Sequence, residues 1–122
     1  MPRQALVTGI GFITPIGNNR AAVTASLREG RHGLETVEFL GNPDLAVKVV
    51  GTIKDFTANT PNWRDWRYPS AYDLPRESLR GLSPHGLFAL CAIEQALADA
   101  RVPADAVKDG ATGLYCASAG ST

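Results

Sequence analysis

Two cysteines and two histidines are the residues of this chain best suited to nucleophilic or metal chemistry, and their surroundings decide what each can do. Cys91 stands beside Leu87, Leu90 and Ile93 at helical spacing, where a thiol acts as a small hydrophobe with a raised pKa. Cys116 follows Leu114 and Tyr115 in a run that reads as a strand, with no helix N-terminus beside it, so a structural role is expected. His85 falls in the first turn of a helix, where the dipole disfavours a positive charge, and His32 lies in a turn between Gly30 and Gly33. Surface or capping roles suit both.

Other arrangements fail on spacing. A nucleophile elbow around Ser118 would need glycine where Cys116 stands. The cysteines and histidines form no close pairs, and the carboxylates form no D-x-D-x-D or H-E-x-x-H pattern, so no metal site is expected. Gly9 and Gly11 begin a G-x-G-x-x-G, but Thr14 replaces the third glycine and Pro15 delays the helix whose N-terminus would cradle a pyrophosphate. The glycines then read as a tight turn, and no dinucleotide or other cofactor is expected. Trp63, Arg64, Trp66, Arg67 and Tyr68 could stack on bases and meet phosphates. A single short cluster in a chain with twelve basic and twelve acidic residues speaks against nucleic acid. The rings are expected to pack the segment onto the domain or a second subunit, with arginine stacked over tryptophan.

The elements that would hold these residues follow from local pattern. Gln4 to Thr8 reads as a buried strand. Asn18 or Asn19 caps a helix to about Arg28, with Val23 and Leu27 on one face, and Gly30 and Gly33 end it. Leu45 to Ile53, rich in β-branched residues, reads as a second strand. A long excursion at about 55–82 carries Pro61, Pro69 and Pro75 without a sustained period; such a segment is functional or packs against something. Ser83 and Pro84 then cap a buried helix over Gly86 to Ala100, closed by Val102-Pro103, and Ala111 to Ser118 reads as a third strand. The order implies an α/β layered fold. The 122 residues are 44% hydrophobic and 20% charged, values of an ordinary globular domain. No leader and no run of spanning length is evident, and two cysteines make no disulfide framework, so a cytoplasmic protein without membrane insertion is expected.

Four segments in order carry a family resemblance. Ala5-Leu6-Val7-Thr8-Gly9-Ile10-Gly11 with Thr14-Pro15-Ile16-Gly17 is similar to an opening strand, V-T-G-x-G and (S/T)-P-(L/I)-G. Val49 to Phe56 is similar to x-x-G-x-(V/I)-x-(D/N)-F, Phe88 to Ala100 to Y-A-L-x-A-x-x-x-A-L-x-D-A, and Thr112 to Ser118 to a strand ending in G-S-G-x-G-G. The chain thus resembles the N-terminal part of the β-ketoacyl synthases, the decarboxylating condensing enzymes of fatty acid and polyketide synthesis. It departs where Leu82-Ser83-Pro84 replaces M-D-R and where Ala117, Ala119 and Ser121 replace glycines, which points to a divergent synthase or to a related partner subunit.

The resemblance implies a thiolase-like layered αβαβα fold with a mixed sheet flanked by helices, of which residues 1–122 would be an incomplete N-terminal part. It implies condensation of acyl and malonyl thioesters on acyl carrier protein, in a homodimer or in a heterodimer with a related synthase. The acylated cysteine and its paired polarising residues would lie beyond this segment, so no catalytic residue is expected within 1–122. Cys91 stands at a position held by alanine in the family. Alignment of Ser118 with the motif's serine puts Gly120 at the bulky residue that gates the acyl channel, and glycine there would leave the channel open. The alternative is a noncatalytic partner subunit of chain-length-factor type that shapes the acyl pocket of a heterodimer.

Overall fold

The structure, a computed structural model, describes residues 2–119. Its framework is two helices of unequal burial. Helix α1, Arg20–Arg28, begins where the Asn19 side chain accepts from the Ala22 N–H at 2.9 Å, which satisfies one of the donors a helix start leaves free. It ends on Gly30 at φ 65°, where Gly30 N–H donates to Leu27 O and Arg31 N–H to Ser26 O. Val23 is buried as expected, but Leu27 is exposed. Ser26 takes the inward place instead, because its hydroxyl donates to Ile16 O at 2.7 Å and so ties the helix to the turn before it.

That turn is compact. Thr14 and Gly17 exchange two backbone hydrogen bonds of 3.1 Å around Pro15 and Ile16. Pro15 packs against the positions where Gly33 and Gly51 would carry a Cβ, at 2.5 and 2.7 Å, so both glycines make room for its ring. Those glycines flank or lie in a two-stranded antiparallel sheet of β1, Leu34–Glu35, and β2, Val50–Gly51, in which Leu34 faces Gly51 and Glu35 faces Val50. Glu35 accepts from Lys54 Nζ and from Thr52 Oγ1, and these two donors hold its carboxyl below the usual carboxylate range.

Helix α2, Pro84–Asp99, carries the core. Ser83 Oγ accepts from Gly86 N–H at 3.3 Å, and Pro84 occupies the first helical position, where its missing N–H costs nothing. Leu87 and Cys91 are fully buried, one turn apart, against Trp66, Leu74 and Leu79. All three of those partners belong to the 55–82 excursion. A backbone bridge between Thr57 and Arg67, the Trp66 Nε1 bond to Thr60 O at 2.9 Å, and 3-10 turns at Trp63–Asp65 and Arg76–Gly81 fold the excursion into a cover for α2. Phe56 adds an edge-on contact with Phe88 at 5.4 Å. The long proline-bearing segment is therefore half of the core.

Three expected strands are shorter or absent. Residues 4–8 and 111–118 have no ladder, and of residues 45–53 only Val50–Gly51 pairs. Leu6, Val7, Leu114 and Tyr115 are exposed. A strand exists through hydrogen bonds to a neighbour; among the described residues 4–8 and 111–118 find none and 45–53 finds one only at Val50–Gly51, so the only sheet there is the two-stranded antiparallel one.

Helix α2 closes with an unusual residue choice. Arg101 sits at φ 56° with its N–H on Ala98 O, while Val102 N–H reaches Leu97 O at 2.9 Å, the paired bonds that normally favour glycine at the left-handed position. Arg101→Gly should remove the steric cost of that conformation and raise stability by about 0.5 to 1 kcal/mol. A unchanged or lower urea midpoint would show that the arginine side chain offsets its backbone strain.

Candidate functional site

The N-terminal segment 9–13 lies directly on α2, and its attachment is the most specific polar arrangement in the molecule. A Cβ on Gly9 would stand 2.2 Å from Ala96 O, and one on Gly11 would stand 1.9 Å from Ala92 O. Neither glycine has a positive φ. They are present because the backbone touches the helix, which corrects the tight-turn reading. Helix α1 starts only at Arg20, so neither glycine opens a helix that could cradle phosphate.

Two side chains of α2, four residues apart, bond this backbone. Asp99 accepts from Ile10 N–H at 3.1 Å and also pairs with Arg20 at 2.7 Å. Gln95 accepts from Phe12 N–H and donates to Phe12 O, both at 3.1 Å, so its amide meets the Phe12 backbone as a neighbouring strand would. The same Gln95 amide donates to Asn18 O at 2.7 Å and to the Tyr72 hydroxyl. One residue thereby joins the first segment, the entry to α1, the excursion and α2. Neither residue stood out as a site from the sequence, although polar side chains one turn apart at Gln95 and Asp99, on a largely apolar helix, are the signal that finds them.

Around Gln95 lies a small cleft of about 360 Å³ shared with Asn18, Asp55 and Tyr72. Asn18 donates to Lys54 O at 2.6 Å, while its buried Oδ1 has no protein partner among the described residues. Burial pushes the Tyr72 hydroxyl above its ordinary pKa, opposed by the Gln95 bond.

On another side of α2 an open apolar groove of about 980 Å³ runs between Ile13, Ile53, Phe88 and Ile93 and the segment 114–119. His85, Cys116 and Ser118 line it. Cys116 and His85 are exposed, and no hydrogen bond joins either to a base or a carboxylate among the described residues. His32 is exposed in its turn, where its Nδ1 accepts from Leu34 N–H at 3.3 Å. Among the described residues no three His, Cys, Asp or Glu side chains gather closely enough to hold a metal ion. Gly120 lies outside the described residues.

Cys91 is the one thiol in the core, and burial pushes it up to about 11, with Glu94 adding to the shift. A raised folded-state value stabilises the fold fully below the unfolded value near 9, and that contribution is lost as pH rises through 11. Between pH 9 and 11 the chain should lose about 2 kcal/mol more than its Cys91→Ala variant does. Parallel stability curves for the two would show that Cys91 ionises without penalty.

The aromatic and arginine cluster serves packing. Trp66 is in the core, and the Arg64 guanidinium stacks 4.6 Å above the Trp63 ring. Arg67 donates to the carbonyls of Asp65 and Trp66, and Arg76 reaches Arg64 O at 2.7 Å, so two guanidiniums close the end of the 63–65 turn. No helix among the described residues is long and apolar enough to cross a membrane.

The chain is 31% identical over 121 residues to 3-oxoacyl-[acyl-carrier-protein] synthase 1 of Escherichia coli (strain K12), a match covering 98% of this chain and 27% of that protein. It is 31% identical over 112 residues to the same-named protein of Haemophilus influenzae, covering 92% of this chain and 24% of the relative. With 3-oxoacyl-[acyl-carrier-protein] synthase 2 of Synechocystis sp. it shares 32% identity over 100 residues, 82% of this chain and 21% of the relative. The chain thus spans about a quarter of the length of these relatives. No solved structure matches it significantly. The family described as beta-ketoacyl synthase, N-terminal domain, matches residues 3–122, and the chain belongs to that family.

Proposed function

We propose that residues 1–122 are the N-terminal part of a β-ketoacyl synthase-like protein that condenses acyl and malonyl thioesters carried on acyl carrier protein, in fatty acid or polyketide synthesis. The observation that carries this reading is the family match across 3–122 together with relatives named as 3-oxoacyl-[acyl-carrier-protein] synthases. In such a reaction a cysteine thiolate attacks the acyl thioester and displaces the carrier thiol. Loss of carbon dioxide from the malonyl thioester then leaves an enolate whose carbon attacks the acyl-enzyme and releases the cysteine. Polarising groups that stabilise the enolate, and the nucleophile itself, belong to sequence beyond this segment. Here the segment supplies part of the frame of a layered αβαβα domain: α2 and the first segment bonded along it. The assembled protein is a dimer in the cytoplasm, and Gly120 leaves its acyl channel without a bulky gate.

A purified full-length protein should release carbon dioxide from malonyl thioester in step with acyl transfer, and both Cys91→Ser and Cys116→Ser should keep that turnover within a few-fold. Loss by several orders of magnitude at either cysteine would place the nucleophile within this segment and overturn the assignment. Ala117 and Ala119, where the family carries glycines, favour a second reading, a noncatalytic partner of chain-length-factor type. It is distinguished by sequence following Thr122 that replaces the nucleophilic cysteine, and by turnover that appears only when a related synthase is added.

A further inference from the structure

We draw no further inference here: the strongest candidate, the open apolar groove of about 980 Å³ between α2 and the segment 114–119, carries nothing because nothing in the structure shows what covers it.

Discussion

Gly11→Ala is expected to lower the stability of the protein by at least about 3 kcal/mol, more than most single substitutions do. The added methyl would lie 1.9 Å from Ala92 O and 2.9 Å from Gln95 Cβ. A helix carbonyl cannot swing aside as a flexible side chain can, so the first segment must lift from α2. Lifting it also breaks the Phe12 bonds to Gln95 and the Ile10 bond to Asp99. Gly81→Ala is the control, since a Cβ there meets nothing within 4 Å and the backbone is not left-handed. That variant should stay within about 0.5 kcal/mol of the parent. Urea midpoints measured side by side decide the matter, and equal midpoints for the two variants would mean that the first segment does not rest on α2.

Gln95→Leu is the second large effect, expected to cost about 3 to 5 kcal/mol. The leucine fills similar space but leaves Phe12 N–H, Phe12 O and Asn18 O without their partner, and each part-buried polar group left unmatched costs about 1 to 3 kcal/mol. Gln95→Glu separates the contributions, because a carboxylate still accepts from Phe12 N–H but faces two carbonyl oxygens with no proton to give. Amide hydrogen exchange locates the damage. Protection at Phe12 should fall in both variants, further in the leucine one, and protection of the α2 amides near Leu87 should persist. Uniform loss across α2 would show that Gln95 supports the helix rather than the segment laid on it.

The features legible in the sequence were those decided within a few residues. Asn19 and Ser83-Pro84 name helix starts because a cap is a local hydrogen bond, and α2 begins where that pair places it. Cys91 read correctly as a core thiol because its helical neighbours are apolar. Leu27 did not, since its place was taken by a serine bonded to Ile16 O, a partner ten residues away. The strands misled for a related reason: β-branched runs such as Leu45 to Ile53 show an inclination to pair, while the pairing itself depends on a neighbour. Gly9 and Gly11 looked like turn residues because glycine serves both a left-handed backbone and a close approach, and only the position of α2 tells the two apart. Gln95 was inside a recognised motif, yet its role rests on contacts with three distant segments.

The span of those contacts has a consequence for synthesis on the ribosome. Phe12 and Gln95 are 83 residues apart, and Ile10 and Asp99 are 89 apart. At about 5 to 20 residues per second, the first segment is exposed for roughly 4 to 17 seconds before its acceptor helix is translated. Throughout that interval the backbone of residues 9–13 has no helix to rest on, and closing so long a loop costs chain entropy that local helix formation does not. Helix α1 can form while the chain is still growing, whereas docking of residues 9–13 must wait for α2. The glycine motif, made well before α2, is thus fixed in place only after it, and its early exposure is the stage at which a nascent-chain chaperone would have most to protect.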